Sequence, residues 1–85
     1  MNIYQVELPD GTVQIRKSKM TFTHAVIRKE INFGTDRGWF VNSFSGSKEL
    51  ANKAMASIES RCFAPRNKGE FIGTEFQVVE VKAVA

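Results

Sequence analysis

The chain is 85 residues long, 42% apolar and 25% charged, with twelve Lys and Arg against nine Asp and Glu for a net charge of +3. A chain of this size buries only about 60–65% of its unfolded surface, enough for one core and hence a single domain over residues 1–85. No apolar run approaches the roughly 18 residues of a membrane span, and the start MNIYQVELPDG lacks the basic and apolar regions of a signal peptide. The one cysteine, Cys62, excludes an internal disulfide and fits a reducing cytoplasm.

Ile3 to Leu8 alternates, with Tyr4, Val6 and Leu8 on one side and Gln5 and Glu7 on the other, which predicts a half-buried strand. Pro9-Asp10-Gly11 supplies a fixed φ, a self-capping carboxylate and a residue tolerant of positive φ, the makings of a turn. Thr12 to Lys17 resumes the alternation with Val13 and Ile15 inward, closing a hairpin. Met20 to Lys29 is rich in β-branched and aromatic residues and reads as a third strand. Glu30 to Gly38, with two glycines and Asp36, reads as a long loop, and Trp39 to Phe44 as a fourth strand.

Ser45 to Phe63 is the one stretch of helical periodicity. Leu50, Ala54 and Ile58, with Ala51, Met55 and Cys62 beside them, form one apolar stripe. Ser47 or Ser45 can cap its first turn, and Pro65 ends it. Ala64 to Gly69 is a basic loop. Phe71 to Val84 is a long last strand, bent near Gly73 and apolar on both sides at Val78, Val79 and Val81. The order ββββαβ predicts an α+β fold: a curved antiparallel sheet of about five strands packed on one α-helix across its concave face.

Few residues here carry recognisable chemistry. His24 and Cys62 are the only imidazole and thiol, and a Cys–His pair needs a third orienting group that the sequence does not supply. Cys62 lies on the apolar stripe, where a free thiol acts as a small hydrophobe. One His and one Cys cannot close a four-ligand zinc site, and the glycines punctuate turns instead of forming a phosphate loop. The expectation is a non-enzymatic binder without metal or cofactor.

The basic residues say more. Arg16, Lys17, Lys19, Arg28, Lys29 and Arg37 fall in strands two and three or their loops, and Arg66 and Lys68 follow the helix. If the helix covers one face of the sheet, these cations with Thr21 and Thr23 would line the other. Arginine reads guanine edges, and lysines and hydroxyls hold phosphates, so DNA or RNA is the expected partner. The alternative is a protein-binding inhibitor or accessory factor acting on another protein, anchored by Phe33, Trp39 or Phe63. A homodimer through an edge strand, the first or the fifth, is a third possibility.

The run WFVNSFSGSKELANKA, from Trp39 to Ala54, resembles the last strand and helix start of ethylene-response-factor DNA-binding domains. Those lay a three-stranded sheet in the major groove with a helix behind, and the resemblance makes Arg16 and Arg28 the nearest base-reading candidates. SKMTFTHAV, from Ser18 to Val26, with Trp39 and the helix start, is similar to small uncharacterised proteins of tailed phages and prophages. That similarity implies a phage source and a host cytoplasm, the setting of counter-defence or host takeover.

Overall fold

In the computed structural model, which describes residues 1–84, Asp10 organises the first turn. Its Oδ1 accepts from the backbone N–H and the hydroxyl of Thr12 at 3.0 and 2.7 Å, and Gly11 takes a φ of 89°. The hydroxyl bond first, then the backbone bond, favours the ionised form and holds the carboxyl below its usual range. Strands β1 (Asn2–Glu7) and β2 (Val13–Ser18) pair antiparallel across this turn, as the alternation predicts. Tyr4, Val6 and Leu8 are buried. Val13 and Ile15 correct the expectation: they stand opposite Glu7 and Gln5, on the polar face, and are 46% and 56% exposed. Directly opposed residues share a face, so the register alone turns them outward.

Strand β3 (His24–Asn32) starts later than the sequence suggests, leaving Met20 exposed before it. It pairs with β4 (Thr35–Ser45), and the two run straight through residues 30–38, which are not a loop. The chain reverses in two residues, Phe33 and Gly34, at φ of 48° and 80°. Positive φ at both central positions marks a type I′ turn, whose twist matches its strands. Two register shifts leave Asn42 and Arg37 as extra residues in β4, bulges that guard that edge.

Strand β5 (Glu75–Glu80) pairs with the other side of β3, and β6 (Lys82–Ala83) pairs with β1. Only Val81 separates them, and its N–H donates to Thr23 O at 2.9 Å. The last strand therefore changes partners in mid-course. The outcome is two antiparallel three-stranded sheets, β2-β1-β6 and β4-β3-β5, in place of the single curved sheet expected. β1 is internal to its sheet, so the edges there are β2 and the two-residue β6, while β5 is an edge of the other sheet.

The helix α1 spans Lys48–Cys62 and is capped by Ser47, whose Oγ accepts from Leu50 N–H at 3.1 Å. It packs on β3, β4 and β5, burying Ala51 and Cys62 and leaving Leu50 55% exposed. Phe63, at its end, meets Phe76 edge to face with centroids 6.2 Å apart. Phe76 is the cross-strand partner of Arg28, so Arg28 and Val26 share the helix side of β3.

Ala25 and Ile27 point the other way, into a cluster with Val6 and Leu8 that Trp39, Val41, Phe44, Val79 and Val81 surround. The face opposite the helix is thus filled by β1. Ala25, Val26 and Ile27 are all 0% exposed, which makes β3, alone among the described strands, buried on both faces. A run of rings, Tyr4 on Phe22 and Phe22 on Phe44, each with centroids 5.3 Å apart, ties the two sheets together. Among the described residues no helix is long and apolar enough to cross a membrane.

Candidate nucleic-acid interface

The eight candidate cations do not share one sheet surface. Arg28 lies on the helix side of β3, paired with Glu30 at 3.0 Å and stacked 4.6 Å above the Phe40 ring. Only 19% of its side chain is exposed, and its Nε is buried with no partner. Lys29 projects from the opposite face by strand alternation and pairs with Asp36 at 3.5 Å. Arg16 lies over the Phe22 and Phe44 rings, at 5.5 and 5.1 Å, as a cover for the aromatic joint. Lys17 and Lys19 are exposed near the end of β2. Sequence position groups these residues; the two-sided burial of β3 separates them.

Arg37, Arg66 and Lys68 behave differently. The helix ends where Asn67 Nδ2 donates to Cys62 O at 3.1 Å, satisfying a free carbonyl of the last turn. The chain then makes a 3₁₀ turn at Pro65–Asn67 and passes Lys68 at a φ of 52°. It returns along the tip of the β3–β4 hairpin. There Phe33 N–H donates to Glu70 O at 2.7 Å, and Asn32 Nδ2 donates to Glu70 Oε2 at 2.6 Å. The Thr74 hydroxyl accepts from Ile31 N–H at 2.9 Å and donates to Ile31 O at 3.0 Å. These bonds bring Arg66 and Lys68 to the same end of the molecule as Arg37, the bulge residue of β4.

Two acids at this end pair with cations: Glu30 holds Arg28, and Asp36 is shared between Lys29 and the Gly38 N–H. Glu70 bonds the uncharged Asn32 amide, and exposed Glu75, opposite Lys29, has no cation within 4.0 Å among the described residues. Arg37, Arg66 and Lys68 are exposed with no carboxylate within 4.0 Å among the described residues. Two apolar side chains of the same segments stand in the open, Phe33 at 70% and Ile72 at 71% exposure. Phe33 is also strained: an aromatic residue in the left-handed region costs about 1–2 kcal/mol that Asn or Gly largely avoids.

The sequence offered Phe33 as an apolar anchor together with Trp39 and Phe63. Trp39 is half-buried against the Val6–Ile27 cluster, and Phe63 rests its ring edge on Phe76. Phe33 alone has neither support. Its signal was faint, since Phe33-Gly34 divides two runs rich in apolar residues, but the first turn position normally carries Asn or Gly and so the hairpin escaped notice.

His24 and Cys62 do not meet. His24 Nδ1 lies 2.8 Å from the Thr23 hydroxyl at the start of β3. Cys62 sits buried near Arg28, four residues or about 13 Å further along the strand. Burial pushes the Cys62 thiol above its usual range, and the nucleophile in alkylation is the thiolate. Native protein should therefore react with a maleimide far more slowly than unfolded protein. Native labelling at the rate of a free thiol would show that α1 does not cover Cys62.

A shallow open groove of about 430 Å³ lies where β1 parts from the last strand, lined by Gln5, Glu7, Glu80, Val81 and Lys82. Among the described residues no group of three His, Cys, Asp or Glu side chains is placed to hold a metal ion. Compared with known proteins, the chain matches no family model, no curated protein and no solved structure.

Proposed function

We propose that the protein is a non-enzymatic nucleic-acid-binding module that grips the phosphate backbone at the β3–β4 hairpin end, through Arg37, Arg66 and Lys68. One observation carries the reading: these three cations are exposed and none has a carboxylate within 4.0 Å among the described residues. Phosphate is the partner that three unpaired, solvated cations on one end serve best, because binding releases the counterions condensed on the strand. The face of β3 away from the helix, which a sheet reader would lay in the major groove, carries Ala25 and Ile27 beneath Val6 and Leu8. Contact through the hairpin end leaves that packing intact.

The test is fluorescence anisotropy with labelled single-stranded and duplex DNA. Three phosphate contacts predict an affinity that falls roughly 20- to 40-fold between about 50 and about 200 mM salt. The triple variant R37E/R66E/K68E, altered only at exposed positions, should keep its melting temperature and lose binding. Unchanged binding by that variant would sink the proposal. The second reading, capture of a host protein, draws on the exposed Phe33 and Ile72. Binding that resists salt but fails on apolar truncation would favour it. A phage source, which the resemblance of Ser18–Val26 implies, would set both in a host cytoplasm.

A further inference from the structure

We infer that Phe33 is a base-stacking residue: the hairpin carries its ring into a single strand and stacks it on an unpaired base while Arg37, Arg66 and Lys68 hold the flanking phosphates. The inference rests on the nucleic-acid reading above and adds to it a contact mode and a preference for unpaired strands. Three observations meet at this residue. Its ring is 70% exposed, so burial does not account for an aromatic here. Its φ is 48°, in a turn that favours Asn or Gly, so backbone preference does not account for it either. Open cations share its end of the molecule, so an occupant must be both anionic along its length and able to accept a flat apolar ring.

A single-stranded nucleic acid has both properties. Its phosphates repeat along the backbone, and every base has a π-face on which an aromatic ring can stack irrespective of sequence. A duplex hides those faces in its own stack, and reaching them requires separating a base step. The turn also holds the backbone that carries the ring. Phe33 N–H is held by Glu70 O at 2.7 Å, and the next-door Asn32 side chain is held by Glu70 Oε2. The ring is presented by a backbone pinned to Glu70 on the arm that leads into the tip, which limits the ordering cost on binding.

The decisive variant is Phe33→Asn, which removes the ring and installs the residue the turn prefers. Its melting temperature should hold or rise, so any loss of binding is not a loss of fold. Measured by anisotropy with labelled oligo-dT and with a mixed-sequence duplex, Phe33→Asn should weaken the single-strand complex about ten- to hundredfold. Duplex binding should change little, the salt dependence should be unaltered because the phosphate contacts remain, and Phe33→Trp should restore single-strand affinity. If Phe33→Asn binds oligo-dT as well as the parent, or loses both ligands equally, stacking on an unpaired base is overturned. In that case the loss seen with R37E/R66E/K68E still upholds the phosphate reading. If the parent protein binds neither ligand, both fall together.

Discussion

Ile27→Ala should cost about 2–5 kcal/mol of stability, while Ile15→Ala should fall within about 0.5 kcal/mol of the parent. Both residues are isoleucines on strands, and of the two the sequence turned Ile15 toward the core. Ile27 is 0% exposed and packs with Val6, Leu8 and Ala25, so truncation leaves a cavity that a close-packed interior fills poorly. Ile15 is 56% exposed opposite Gln5 and has little packing to lose. For a domain of this size each kcal/mol moves the melting temperature by roughly 4–8 °C, so the Ile27 variant should melt roughly 8–40 °C lower. Urea denaturation of the two variants measures the contrast. An Ile27 cost below about 1 kcal/mol, or equal costs at the two positions, would mean that the β1 sheet does not close over the face of β3 away from the helix.

That contrast shows where the sequence was informative and where it ran out. Local chemistry was legible. Pro9-Asp10-Gly11 turned as its residues require, Ser47 capped the helix, and Tyr4, Val6 and Leu8 went inward together. Register was not. Whether Val13 and Ile15 face the core depends on which residues of β1 they oppose, and a slip of one residue inverts the answer. The change of partner at Val81 was hidden for a similar reason. An apolar run such as Val78, Val79 and Val81 says that both faces are covered but not by which sheets. The helix stripe was read correctly except at Leu50, which stays half in solvent on the first turn. In the candidate site, the charges could be counted from the sequence, but their partners lie far along the chain or across strands. Arg28 on Phe40, Lys29 on Asp36 and Glu70 on Asn32 together decide which cations remain open.

Thr74→Val should cost about 2–3 kcal/mol and release the basic segment from the hairpin tip. Pairing between β3 and β5 ends at Lys29 opposite Glu75, so the next backbone groups on that side of β3, the N–H and C=O of Ile31, have no strand to meet. The Thr74 hydroxyl takes the place of the missing strand residue, accepting from that N–H and donating to that C=O at 2.9 and 3.0 Å. Thr74 is 8% exposed, so water does not readily replace it. Valine has nearly the same shape and fills the same space. Its effect therefore isolates the two hydrogen bonds, and two backbone groups left unpaired cost more than the bonds themselves contribute. Thr74→Ser keeps the hydroxyl and should recover most of the loss. Hydrogen exchange of the Ile31 and Phe33 amides should quicken in the valine variant by more than global unfolding explains, because both link the tip to residues 70–74. Protection at those amides equal to the parent's would show that the segment carrying Arg66 and Lys68 is held at the tip by other contacts.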